Sequence, residues 1–246
     1  MISQRRVGVP ELLAAILVIL FTSLAAGAQS LAVLPVNIFM PPGQMATTLT
    51  VTNQSNSETA IQIRGYAWNQ PDGADDQLTP SDAIVVSPPI ATIAPGATQV
   101  VRLILRQPAQ GREVTYRILV DQLPPPAQPG MVHVVLRLSI PVFVQPASRA
   151  VGHVHYHVEV NNGQSYLVAA NDGLSHDVIR DIVLTTSDGR KLKTESRALP
   201  YVLAGATRRW QIVAQGPPPL PGDTLRLTAR AVAGAIEEQV RVVPSP

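Results

Sequence analysis

The 246-residue chain carries 19 basic and 17 acidic residues, for a formal charge of +2, and has no cysteine. So even a balance gives no reason to expect a nucleic-acid or acidic partner, and the missing thiols exclude cysteine nucleophiles, disulfide staples and cysteine-ligated zinc. Aromatic residues make up only 4% while prolines number 23, so the core must be aliphatic and its elements short and often interrupted, as in an all-β chain.

Residues 1–28 read as a secretory leader. Arg5 and Arg6 supply the positive start, Leu12 to Leu20 the apolar stretch, and Ala26-Gly27-Ala28 the small-x-small cleavage site. The stretch is short for a bilayer span of ~20 residues, and no other long apolar run follows. The remaining length suits two domains.

Period-two alternation predicts the strands that follow. Thr48–Thr52 alternates and stops at the turn cluster Asn53–Asn56, and Ala60–Trp68 places Ile61 and Ile63 on one side and Gln62 and Arg64 on the other. Further strands are expected at Ala83–Val86, Gln99–Leu105 and Val114–Gln122. Leu123 to Gly130 then holds four prolines in eight residues, and since proline has no N–H this stretch cannot continue a ladder. A strand from Met131 to about Gln145 should return antiparallel to the one before it. A boundary falls near Pro146–Ala150. Beyond it, strands are expected at Val154–Val160, Ser165–Ala170, Ile179–Thr185, Trp210–Val213, Thr224–Val232 and Glu237–Val243. About seven short strands per hundred residues is the signature of a β-sandwich, and no internal repeat is evident. The expected layout is a leader (1–28), a first sandwich (29–147) and a second (148–246).

The strand from Met131 is the unusual one. Val132, Val134, Leu136, Leu138, Ile140, Val142 and Val144 share one parity, so they line one face over roughly 40 Å at ~3.3 Å per residue. Strands in small sandwiches run to about 5–6 residues. Either this is core throughout, as one strand or as two divided near Pro141, or its first half overhangs the core as an apolar row with a free edge. Such an edge suits a partner that lacks a strand.

In order and spacing, these segments resemble the periplasmic pilus (fimbrial) chaperones of the chaperone–usher pathway. The resemblance rests on Leu49–Asn53, Ile61–Ile63 with Trp68, Ser87-Pro88-Pro89-Ile90, Ile93–Gly96 with Val101–Leu103, Glu113–Arg117, Leu123-Pro124 and Ser139–Val144, and more loosely on Ala169–His176, Tyr201–Gly205 and Arg208–Trp210. It implies two immunoglobulin-like β-sandwiches in an L, and a periplasmic protein that is not an enzyme. Such a chaperone stabilises pilus subunits by donor-strand complementation and passes them to an outer-membrane usher. Val132, Val134, Leu136, Leu138 and Ile140 would be the donor residues, and the same strand offers a surface for self-association. Well-studied members hold the subunit's terminal carboxylate with a basic pair, but Asn37 and Pro141 stand at those places here. The Tyr116-Arg117 and Ser139–Val144 forms look like the archaic branch, whose subunits resemble spore-coat U proteins. Arg117, on the neighbouring strand, is the candidate anchor, since a guanidinium fork suits a carboxylate. The alternative is an internal ion pair with Asp121 or Glu113. A structural or adhesive pilus component is the competing function, disfavoured by two domains and a mid-chain long strand.

Other chemistry is thin. His153, His155 and His157 alternate on one strand face and form a weak metal candidate, since a strand rarely supplies a complete site alone. Ser175-His176-Asp177 reads as a turn, with no nucleophile elbow. No cofactor motif is present.

Overall fold

The computed structural model describes residues 31–71, 76–126, 130, 132–148, 150–195, 200–213 and 216–245. The expected leader (1–28) lies outside them. Every regular element among the described residues is a strand, and no helix there is long and apolar enough to cross a membrane.

The first ten strands are β1 (Leu31–Leu34), β2 (Ile38–Met40), β3 (Ala46–Asn53), β4 (Thr59–Asn69), β5 (Gln77–Pro80), β6 (Ile84–Ser87), β7 (Ile90–Ile93), β8 (Thr98–Leu105), β9 (Val114–Gln122) and β10 (Arg137–Val144). They form two sheets. One runs β1-β3-β8-β6; the other runs β2-β10-β9-β4-β5, with β7 also on β4. Alternation fixes which side chains turn inward. Leu49 and Val51 of β3 and Val101, Leu103 and Leu105 of β8 meet Ile61 and Ile63 of β4, Ile118 and Val120 of β9 and Val142 and Val144 of β10 in one aliphatic core. Sequence reading missed β1 and β2. They are short and flank Pro35, and they belong to different sheets: β1 pairs with β3, whereas β2 runs parallel to the end of β10.

The other nine strands are β11 (Val154–Asn161), β12 (Gln164–Asn171), β13 (Asp177–Val178), β14 (Arg180–Thr185), β15 (Lys191–Thr194), β16 (Tyr201–Val202), β17 (Thr207–Val213), β18 (Thr224–Ala231) and β19 (Gly234–Pro244). Seven of them form the closed order β11-β12-β17-β15-β14-β18-β19, and β13 pairs with β16. Their core gathers Val158, Leu167, Leu184, Trp210, Leu227 and Val240. Ile179 falls outside β14, whose pairing with β18 shifts register between Arg180 and Val183, where Asp181 has φ 54°.

A repeat invisible in the sequence appears at the ends of β3 and β12. Buried Asn53 donates through Nδ2 to the carbonyls of Ser57 and Ile93, at 2.7 and 2.9 Å. Buried Asn171 does the same to Ser175 and Val202, at 2.9 and 3.0 Å. The backbone N–H groups of the two asparagines donate to Ala97 and Ala206 respectively. In both sandwiches this asparagine ties a strand end to a turn ending in a left-handed glycine, Gly96 or Gly205. Asn53 also accepts hydrogen bonds from the Ser55 amide and hydroxyl. Asn53→Ala removes four hydrogen bonds at once, each worth about 1 kcal/mol or more. Chemical denaturation of that variant is expected to show a loss of about 2–4 kcal/mol.

Candidate functional site

The expected strand from Met131 to Gln145 is corrected by the structure: only Arg137–Val144 is paired as β10. The β9–β10 ladder runs from Val144↔Val114 to Arg137↔Asp121. One further bond, from the Gln122 amide to the Leu136 carbonyl at 2.9 Å, ends it. The cause lies across the ladder. After Gln122 and Leu123 the opposing chain is Pro124-Pro125-Pro126, which has no N–H to offer. On the other side, β2 reaches only Val142–Val144.

The apolar row continues past the ladder, and its burial changes along it. Val132 is 90% exposed and Val134 78%. Leu136 and Leu138 are partly buried, and Leu138 packs against the core. Ile140 is 6% exposed and belongs wholly to the core of its own domain, so its side chain is already occupied. An exposed row thus extends from the sheet in line with its core face.

At the point where the ladder ends, Asp121 is held by two guanidinium groups, Arg64 at 2.6 Å and Arg137. Burial opposes ionisation of Asp121, but the hydrogen bonds from Arg137 and Arg64 outweigh it and hold the carboxyl below the usual range. Arg137 thereby fastens the root of the exposed segment to β9.

Arg117 lies opposite Pro141 on β10 and Tyr66 on β4. It is 4% exposed. Its guanidinium carbon sits 3.7 Å from the centre of the Trp68 ring and 5.4 Å from that of Tyr201, which belongs to the second domain. Neither ion-pair partner expected from the sequence is used. Asp121 faces Arg64 and Arg137, and Glu113 accepts from the Ser175 hydroxyl and from the His176 amide and ring. Arg117 Nη2 is buried without a hydrogen-bond partner, and so is Trp68 Nε1. Burial draws the Arg117 guanidinium below its ordinary pKa, with Tyr201 and Asp76 acting the other way. An arginine nevertheless stays cationic. Two donors without an acceptor therefore lie together in a low-dielectric setting, a disposition that favours an anionic acceptor.

The surroundings come from both domains. Phe143 stacks on His176 at 3.7 Å between ring centres and packs with Trp68, Leu203 and Ala206. Gln70 bridges to the second domain through the Tyr201 carbonyl and the Leu203 amide, both at 2.9 Å. Asn37, at one of the positions where a basic residue is expected, accepts from the Tyr201 hydroxyl at 3.2 Å. Sequence reading missed the roles of Trp68, Phe143 and Tyr201 here, since nothing local signals contacts made across a domain boundary.

The three histidines do not act together. His153 and His155 both reach Asp172, whereas His157 turns to Glu159 at 3.1 Å. Ser175-His176-Asp177 is no triad either: Asp177 accepts from the Val178 and Val232 amides.

Residues 30–150 match the family described as pili and flagellar-assembly chaperone, PapD N-terminal domain. No curated protein sequence matches significantly. Among solved structures, 88% of this chain matches all of a chain from the CsuC–CsuE chaperone–tip adhesion subunit pre-assembly complex of the archaic chaperone–usher Csu pili of Acinetobacter baumannii, with TM-score 0.65 and 22% identity. A chain of the Salmonella enterica SafA pilin–SafB chaperone complex matches with TM-score 0.56 and 16% identity, covering 87% of this chain and 96% of that one. The Pseudomonas aeruginosa CupB2 chaperone matches with TM-score 0.54 and 14% identity, covering 85% and 100%. These findings mean that residues 30–150 belong to the family of pili and flagellar-assembly chaperones, and that the chain as a whole shares the fold of the solved chaperone structures.

Proposed function

We propose that this protein is a periplasmic chaperone that holds pilus subunits by donating a β-strand, and that it passes them to an outer-membrane usher without cofactor or catalysis. The observation that carries the reading is the segment Val132–Leu136, an apolar row that continues the sheet beyond the reach of its own ladder. A partner lacking a strand gains main-chain hydrogen bonds from such a segment and fills its pockets with alternate side chains. Val132, Val134, Leu136 and Leu138 are the donors. Ile140, already in the core, is the point where the donated stretch is rooted.

Arg117, with the Trp68 indole beside it, is the group that receives the subunit's terminal carboxylate. It stands directly across the ladder from Pro141, so the positive charge missing from β10 is supplied by β9. The likeness to a chain from archaic Csu pili supports the archaic branch for this protein.

Hydrogen–deuterium exchange tests the reading. Backbone amides of residues 132–135, which precede the paired strand and the Leu136 amide that donates to Gln122, are expected to exchange rapidly in the free protein and to slow by at least about a hundredfold when a subunit from a neighbouring gene is bound, because strand addition engages them in a ladder. Unchanged exchange in a verified complex overturns it.

A further inference from the structure

We propose that His153, His155 and Asp172 form a surface site for a borderline divalent transition metal, with Zn2+ as the reference ion. The site lies on the second domain, and it does not depend on strand donation. One ligand atom from each of the three residues falls within 4.8 Å of the other two. His153 Nδ1 is 2.7 Å from one carboxylate oxygen of Asp172, and His155 Nε2 is 3.2 Å from the other. The imidazoles meet edge to face, 4.3 Å apart. Ligand atoms around a tetrahedral zinc with bonds of ~2.0–2.1 Å lie about 3.3 Å apart. The two His–Asp contacts are at or just inside that spacing, and rotation of the exposed side chains has to draw in the wider separations, none of which exceeds 4.8 Å.

The frame beneath the ligands is fixed. His153 immediately precedes β11 and His155 is its second residue, so the two flank Val154, and Asp172 follows directly after Asn171, the β12 partner of Val154. The His153 amide donates to Asn171 Oδ1 at 3.1 Å, and the Asp172 amide donates to the His153 carbonyl at 3.1 Å. Asn171 is itself held by the buried clamp described above. Gly173 completes the approach: a Cβ there would overlap the His153 amide nitrogen and the Val151 carbonyl. Backbone positions are thus set before any ion arrives, which is what ligand preorganisation requires.

Donor chemistry selects the ion class. Two imidazoles and one carboxylate suit zinc, copper or nickel, whereas calcium and magnesium want oxygen ligands alone. Three protein ligands leave at least one position for water or another ligand. A bound ion would tie the start of β11 to the turn at 172–176, whose Leu174, Ser175 and His176 contact Glu113 of the first domain. It would therefore brace the segment that carries the domain junction.

The test is calorimetric titration of the purified protein, without a polyhistidine tag, with ZnCl2, beside His155→Ala, Asp172→Asn and His157→Ala. One zinc per chain is expected for the wild type. Affinity should fall at least about tenfold in His155→Ala and Asp172→Asn, and should stay within about twofold in His157→Ala. Both ligand side chains are exposed, so these variants keep the fold, and circular dichroism checks it. Zinc should also raise the thermal midpoint of the wild type but not of His155→Ala. Absence of zinc uptake, or uptake that persists unchanged in both ligand variants, overturns the proposal.

Discussion

The double variant Val134→Asp/Leu136→Asp is expected to fold as well as the wild type and to lose subunit binding by at least three orders of magnitude. Val134 is 78% exposed and Leu136 only partly buried. Substitutions at such positions usually shift stability by about 0.5 kcal/mol or less. In a complex, each of these side chains would be buried in an apolar pocket of the partner, at about 1.5–3 kcal/mol apiece. An aspartate in the same pocket loses that term and must also be desolvated without a counter-charge, which adds a penalty of several kcal/mol. The combined loss exceeds about 4 kcal/mol, more than a factor of a thousand at 1.4 kcal/mol per decade. Pull-down of co-expressed candidate subunits, with thermal melts of both forms, measures the two halves of the claim. Equal capture by wild type and variant would remove the strand from the mechanism, even with the family assignment intact. Ile140→Asp is a contrasting control. Ile140 lies in the core, so this change should unfold the first domain rather than spare it.

The part of the molecule legible in its sequence is the part with local causes. β3, β4 and β8 alternate because one face of each meets the same aliphatic core. The row 132–144 was equally visible, but parity reports which face is apolar and not whether a neighbour pairs with it. The ladder stops at Leu136 because of prolines on the opposing chain, a fact of pairing and not of the strand itself. The two asparagine clamps escaped for a related reason: each reaches a distant carbonyl, 40 residues away for Asn53 and 31 for Asn171. Unequal intervals leave no period to detect. Strand parity likewise put three histidines on one face, while the β11–β12 register alone brings Asp172 to two of them. The environment of Arg117 needed more still, since Tyr201 arrives from the other domain.

Arg117→Leu is expected to leave the fold at least as stable as the wild type while weakening subunit binding about a hundredfold. These two effects rarely share a cause. Arg117 is buried with an unpartnered Nη2, and an uncompensated buried charge costs several kcal/mol. Its stacking on Trp68 returns about 2 kcal/mol. An apolar side chain of similar volume removes both terms, so the thermal midpoint should hold or rise. A subunit carboxylate bound there would make charge-assisted hydrogen bonds worth about 1.5–3 kcal/mol each, and losing a bidentate pair accounts for the fall in affinity. Arg117→Lys keeps the charge but not the fork, so its affinity should lie between the two. The decisive measurement is a cycle in which the subunit's terminal carboxylate is amidated. Amidation should weaken binding to the wild type and add almost nothing to the defect of Arg117→Leu, since both changes break the same contact. Additive losses would show that the carboxylate is held elsewhere, and binding to Arg117→Leu within about threefold of the wild type would show that this guanidinium takes no part in capture.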